Sequence, residues 1–327
     1  MQRHSLLGLI IALFSMTCSD PLVAQEFPAK QIRIISPYGP GGGNDTIARL
    51  LATKLSVVFN QRVIVENKPG ANTIIGNDLV AKAPPDGHTL IVNGTGFITN
   101  PSFYAKMPFD SLKDFTPVAF IAFTELALVA NTALPAQSVK EIIALAKAKP
   151  ATLNFGNTGL GGSEHLAGVL FGQLGGVDIG SIPYKGAAAA ITDLIGGQVQ
   201  LMITALAAVK PHIQSGQLRL IAMADTGRSP QYPNVPTVVE SGLAGFQTAM
   251  WYGVMAPAGI PEGVLKKLNQ TINQVLRERD MLENFTSRGL TLGDEAQYGT
   301  PELFSAFVKS EIANTNNIAR AAGIKPE

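Results

Sequence analysis

Gln31-Ile32-Arg33-Ile34-Ile35-Ser36, followed by Pro37-Tyr38-Gly39-Pro40-Gly41-Gly42-Gly43-Asn44-Asp45, decides how this chain is read. The first six residues form a short buried strand. Glycines then let the backbone turn tightly, and beyond them Ile47, Leu50, Leu51, Leu55 and Val58 recur at helical spacing. A strand that runs through glycines into a helix leaves amide hydrogens exposed at the helix start. Those amides carry partial positive charge and favour an anion. The Lys-Ser/Thr ending of a phosphate-binding P-loop is missing, and the order of glycines is not Gly-x-Gly-x-x-Gly. Taken alone, the loop also reads as an ordinary tight turn capped by Asn or Asp.

The design recurs. Leu153 to Gly156 is a strand, Gly156-Asn157-Thr158-Gly159-Leu160-Gly161-Gly162-Ser163 is a second glycine-rich loop, and a helix starts near Ser163. Two anion-ready helix starts facing one another across a cleft point to a small ligand with one or more carboxylates. Between and beyond them strands and helices alternate. Arg62 to Val65 and Thr89 to Val92 read as strands, and Ser138-Val139-Lys140-Glu141 is a capping box whose helix turns Ile142, Ile143 and Ala146 inward. Thr300-Pro301-Glu302 opens the last long helix. This alternation predicts an α/β fold with mostly parallel sheets. Leu126 to Ala130 and Met250 to Ala256 look like counterparts: each is an apolar strand followed by a Pro-containing turn and a helix, the second helix carrying Leu265, Leu268, Ile272 and Leu276. Strands that cross between lobes would make the middle of the chain an inserted unit. The expected division is 25–128 with 247–327 as the first lobe and 129–246 as the second.

Composition narrows the function. The 327 residues are 46% hydrophobic and 15% charged with a net charge of +1, which is enough apolar material for two compact units and no basic footprint for nucleic acid. Residues 1–24 read as a secretory signal: Arg3 and His4, an apolar run from Leu6 to Phe14, then small residues and a cut after Ala24. The run falls short of the roughly 20 residues that span a bilayer. Cys18 is the sole cysteine and lies inside this segment. A lipid anchor on it is the lesser alternative, because Ser15-Met16-Thr17 fits such sites poorly. The mature protein is therefore expected to be exported to the periplasm without thiol or disulfide.

Nothing marks a catalytic centre. His88, His165 and His212 are scattered, with no His-Glu-x-x-His, so no metal and no cofactor are expected. His165, one turn beyond the second loop, reads first as structural. Asp86, Asp110 and Asp114 lie in turn-like surroundings, and no Gly-x-Ser-x-Gly elbow occurs. Trp251 and Tyr252 fit either a cleft wall or the core.

These motifs together resemble the extracytoplasmic receptors of tripartite tricarboxylate transporters, the Bug-type receptors. The likeness runs through Pro37-Tyr38-Gly39-Pro40-Gly41-Gly42, Glu66-Asn67-Lys68-Pro69-Gly70-Ala71, Pro85-Asp86-Gly87, Asp114-Phe115-Thr116-Pro117-Val118, His165-Leu166-Ala167-Gly168, Pro183-Tyr184-Lys185-Gly186 and Ala256-Pro257-Ala258-Gly259. The resemblance implies a two-lobed type II periplasmic binding protein fold, with the ligand cleft between the lobes. It also implies a carboxylate ligand, integral-membrane permease subunits as partners, and a monomer. Carried over by position, the ligand contacts would be Tyr38, Gly42, Asn44, Asp45 and Thr95 in the first lobe, and Asn157, Thr158, Gly161, Ser163 and Tyr184 in the second.

The chain departs from the family pattern at Gly162, where Ser or Thr is usual, at Gln200, where Asp is usual, and at Thr204-Ala205. These changes are expected to make the second lobe's side less polar. The ligand would then carry one strongly bound carboxylate and a less charged far end. A ligand-sensing input for a signalling partner uses the same fold and cleft, and a periplasmic enzyme acting on a small acid is the remaining rival.

Overall fold

The computed structural model describes residues 26–326 apart from 160, 185, 226, 247, 249, 322 and 325. The expected signal segment, with Cys18 and the cut after Ala24, lies outside the described residues. No helix among the described residues is long and apolar enough to cross a membrane.

The opening strand β1 (Ile32–Ser36) lies in the middle of a parallel trio with β2 (Val63–Asn67) and β3 (Thr89–Gly94). Both faces of β1 are covered. Ile32 and Ile34 point to one core and Ile35 to the other, which is why the segment is continuously apolar rather than alternating. Helix α1 (Gly43–Val58) packs Ile47, Leu51 and Leu55 against this sheet, each fully buried. The stripe ends there: Val58 is 45% exposed, because the helix has run past the sheet by its last turn. Helices α2 (Ile74–Ala81) and α3 (Thr95–Phe103) follow β2 and β3. Strand β4 (Phe115–Thr124) then pairs antiparallel with a strand that arrives from much later, β10 (Met250–Pro257). With β11 (Leu290–Leu292) at the edge, the order is β11-β4-β10-β3-β1-β2.

One residue separates the two sheets. Thr124 ends β4, and Leu126 begins β5 (Leu126–Asn131), which pairs wholly within a second sheet. The expected lobe limit at 128/129 therefore falls inside β5. Glu125 bridges the junction: its amide donates to the Gly289 carbonyl at 3.1 Å, and its carbonyl accepts from the Leu206 amide at 2.8 Å. The second sheet repeats the plan of the first. After β5 come α4 (Val139–Ala148), β6 (Asn154–Asn157), α5 (Ser163–Gly175), β7 (Gly180–Pro183), α6 (Ala187–Ile195), β8 (Leu201–Ala205), α7 (Leu206–Gln214) and β9 (Leu218–Met223). The strand order is β7-β6-β8-β5-β9, with β6 parallel and β5 antiparallel to both neighbours. The sheets are thus mixed and not mostly parallel as expected, because β4, β5 and β10 pair antiparallel where the chain passes between sheets. The chain returns through β10, and α8 (Glu262–Leu276), α9 (Arg279–Ser287), α10 (Glu295–Tyr298) and α11 (Pro301–Ala321) close over the first sheet.

Half of the expected capping box forms: the Ser138 hydroxyl accepts the Glu141 amide, while the Glu141 carboxylate reaches past the cap to accept the Gln137 amide at 2.7 Å. Asp86, Asp110 and Asp114 take amides from their own turns. Trp251 belongs to the core: it is fully buried, with the rings of Phe304 and Phe307 each 5.6 Å away. The tight packing where β3 meets β10 gives a test. A Cβ at Gly94 would lie 2.7 Å from the Trp251 carbonyl oxygen, a backbone atom that cannot swing aside. Gly94→Ala should cost about 1–3 kcal/mol of stability in urea unfolding; an unchanged midpoint would show that the sheet yields there.

Candidate functional site

The parallel strands β1 and β3 deliver their carboxyl ends to one rim of the first sheet, and β6 and β8 do the same for the second. The two glycine-rich loops sit on these rims and share one geometry. Gly41 and Gly161 both take a left-handed φ, +83° and +77°. Gly42 and Gly162 follow in extended conformation, at φ −75° and −69°, as the N-caps of α1 and α5. The first helical hydrogen bonds run from Thr46 to Gly42 and from Leu166 to Gly162, at 2.9 and 3.0 Å. The amides of Gly43, Asn44 and Asp45, and of Ser163, Glu164 and His165, precede them, so no helical carbonyl can reach these six.

One side chain in each helix keeps its loop in shape. The Asp45 carboxylate accepts the Gly41 amide at 2.9 Å, and the His165 imidazole Nδ1 accepts the Gly161 amide at 3.3 Å. These are equivalent positions, four residues beyond the glycine. Asp45 also receives Arg49 and Asn67, and these donors hold its pKa down at about 2 against the penalty of burial. Burial lowers the pKa of His165, which keeps the ring neutral and able to accept.

The expected contact residues divide into two groups. Asn44, Asp45 and Asn157 are committed to the loops: Asn44 donates to the Val92 carbonyl, and Asn157 donates to Ser181 and Ile182 while accepting the Gly159 amide. Tyr184 turns its hydroxyl to Asp193, 2.9 Å away. Tyr38, Gly42, Thr95, Thr158, Gly161 and Ser163 stand on the two facing rims, Thr95 buried in the first turn of α3. The Tyr38 hydroxyl accepts a backbone hydrogen bond from Gly96, and burial raises its pKa.

Four residues complete the arrangement that the motifs did not single out as contacts. Asn72 and Phe103 reach from the first lobe to Gly161, where an added Cβ would lie 3.1 Å from the Phe103 ring. That ring also meets His165 edge-on at 5.7 Å. Tyr252, the third residue of β10, has its hydroxyl against Gly43, and burial with the nearby charge of Glu164 pushes its pKa up to about 12. Glu164 itself is buried: its carboxylate accepts the Thr158 amide at 3.0 Å and the Thr204 hydroxyl. Alignment of Gly41-Gly42-Gly43-Asn44-Asp45 with Gly161-Gly162-Ser163-Glu164-His165 would have revealed both the symmetry and the unusual carboxyl.

Two expectations need correction. Gln200 stands before β8, at the strand end away from the loops, where it accepts the Asn154 amide and donates to Gly197. It has no bearing on cleft polarity. Thr204 binds Glu164 instead of leaving an apolar wall.

A cavity of about 620 Å³ lies elsewhere, beside Glu125 between β11 and the end of β9. Its wall carries Glu125, Asp225, Asp294 and Glu311 together with Arg228, and it lies away from the glycine-rich loops.

With this geometry in view, the comparisons are decisive. The model of the tripartite tricarboxylate transporter family receptors matches residues 47–324. The chain belongs to this receptor family. Protein BugT of Bordetella pertussis is 35% identical over 320 residues, covering 97% of each chain. The Rhodopseudomonas palustris protein Rpa4515, solved with adipate, shares 34% identity with a TM-score of 0.83 over 92% of this chain and 100% of its own. MatC from the same organism, solved with bound malate, shares 30% with a TM-score of 0.79 over 90% and 100%. The fold of this receptor is accordingly that of the periplasmic binding proteins.

Asp45 offers a test of the loop's rigidity. Its depressed pKa means that the ionised form stabilises the fold above the unfolded pKa, and that this contribution is lost as pH falls toward about 2. Asp45→Asn should therefore lower stability by roughly 2 kcal/mol at neutral pH, with the difference from the parent shrinking below about pH 4. Chemical denaturation across pH measures it, and a pH-independent difference would contradict the charge-based account.

Proposed function

We propose that the protein captures a small carboxylate between its lobes in the periplasm and delivers it to integral-membrane permease subunits. One observation carries this reading: two matched helix starts, each with three amides ahead of its first helical bond, stand on facing rims. Amides on a helix N-terminus suit a carboxylate without a dedicated arginine, because the partial positive charge and the donors come from the backbone. The adipate and malate of the two solved relatives are of this ligand class. The proposed contacts are the amides of Gly43, Asn44, Asp45, Ser163, Glu164 and His165, with Tyr38, Gly42 and Thr95 beside them. The side chains of Asn44, Asp45, Asn157 and His165 shape the loops, and the Thr158 and Gly161 amides are taken within the second. Binding rather than turnover fits a site in which the one imidazole is an acceptor for a loop amide. Export by the N-terminal segment and release to a permease accord with membership of a transporter receptor family.

A thermal-shift series tests the reading. Mono- and dicarboxylates should raise the melting temperature, by about 2.7 kcal/mol of stabilisation at a hundredfold excess over Kd, while sugars and neutral amides leave it unchanged. Stabilisation by neutral compounds alone would overturn the carboxylate assignment. Gly161→Ala forces a side chain into a left-handed φ and toward Phe103. The variant should keep the fold, losing about 1 kcal/mol, yet bind carboxylates roughly tenfold or more weakly by calorimetry. Undiminished affinity would remove the second loop from the site.

A further inference from the structure

Glu164 is the one acid placed among the loop amides of the second lobe, and it differs from its counterpart in the first. Asp45 is matched by the Arg49 guanidinium at 2.9 Å. Among the described residues Glu164 has no cation partner: it holds the Thr158 amide and side chain and the Thr204 hydroxyl, all neutral. It is only 5% exposed. Across the cleft its charge is felt by Tyr252 of β10, whose phenol rests against Gly43 of the first loop. On its own helix the neighbouring His165 accepts a loop amide and is neutral. The region between the loops is thus asymmetric. The first loop presents amides whose attendant acid is neutralised by an arginine, and the second presents amides shared with an uncompensated carboxyl.

From this asymmetry we infer that Glu164 is a specificity-determining residue, disfavouring a second carboxylate at the second lobe and favouring there a neutral or hydrogen-bond-donating group. Two carboxylates that share a poorly solvated site cannot both ionise freely, so a dicarboxylate must displace charge or bring a proton with it. A monocarboxylate held at the first loop meets no such penalty. Thr158 reinforces the effect, since its amide is already taken and is lost to the ligand as a donor. The expectation of a weakly charged far end survives on this ground, and Gln200 plays no part in it. Burial raises the Glu164 pKa, so protonation relieves its charge sooner on acidification than for an exposed glutamate. Dicarboxylate affinity should therefore rise as pH falls, over the range in which the ligand's own groups remain ionised.

The inference rests on the carboxylate-receptor reading, and the experiment separates the two. Calorimetric affinities of hexanoate and adipate, and of butyrate and succinate, are compared in the parent protein, Glu164→Gln and Thr204→Val at several pH values. The parent should prefer the monocarboxylate of each pair and gain dicarboxylate affinity toward lower pH. Glu164→Gln should shift the ratio toward the dicarboxylate by roughly tenfold or more and flatten that pH profile. Thr204→Val retains the charge and should keep the parent's preference. Equal losses for both ligands in Glu164→Gln, or an unchanged ratio with an unchanged pH profile, would overturn the role of Glu164 while leaving the receptor reading intact. Absence of binding by any carboxylate to any of the three proteins would overturn the receptor reading itself.

Discussion

The constraint on which the rest depends is that the first amides of a helix have no carbonyl to bind. In α1 and α5 those amides are left facing the cleft by design. Glycine at 41 and 161 takes the left-handed turn, and the residue four places on, Asp45 or His165, takes the glycine's amide so that the loop cannot fold back over the helix end. Asn44 and Asn157 pin the same loops to β3 and β7. Magnitudes show why the device appears twice. Hydrogen bonds to a charged group contribute about 1.5–3 kcal/mol each, so three from one loop supply roughly 5–9. Association costs 4 to about 15 kcal/mol in lost freedom. One loop alone is therefore marginal, and a small acid is held well only when both lobes contribute.

That requirement makes the junction between sheets part of the site. Glu125 is a single residue whose amide belongs to one lobe and whose carbonyl belongs to the other. The returning connection is tied beside it: Asp225 accepts the Leu126 amide at 2.8 Å, and Ser229 and Gln231 donate to the Glu125 carboxylate. Burial and the adjacent Glu125 push the Asp225 pKa up to about 7. The lobes are joined a third way by α11. Its Ile318 packs on the second-lobe core and its carbonyl accepts from Gln173, although the helix begins on the first sheet. A one-residue junction, the tied connection beside it and the α11 strut thus hold the two loops in one register.

Much of this was legible in the residues. The strand–glycine–helix units, the Ser138 cap, the turn aspartates and the last helix all follow from local rules, and the pairing of two such units gave the cleft. What failed did so where spacing cannot tell depth from direction. Asn44 and Asn157 have the right chemistry at the right place, yet their side chains turn back into the loops. Gln200 is three residues from Ile203 in sequence but at the wrong end of β8 for the cleft, which a motif match cannot register. Trp251 and Tyr252 are neighbours on one strand, and alternation sends them into opposite cores of the first sheet, the Tyr252 hydroxyl alone reaching Gly43 of the loop. Glu164 escaped notice because a glutamate in a helix's first turn is ordinarily an exposed capping residue; here the Thr158 and Thr204 bonds draw it inside.

A backbone-built site also explains why ligand class is easier to read than ligand identity. Six amides present the same donors whatever side chains they carry, so sequence change around them leaves the carboxylate grip intact. Relatives about one-third identical can keep the grip and differ in everything beyond it. Discrimination must then come from the few side chains that enter the gap between rims, and the effect of each depends on how well it is desolvated and paired. Tyr38 and Tyr252 are neutral phenols there, with pKa values raised by burial. Among the described residues there, Glu164 brings the charge, and a buried charge acts over a longer range than any single hydrogen bond. The specificity of such a receptor is therefore concentrated in one or two positions, while its affinity is spread over a framework that those positions scarcely touch.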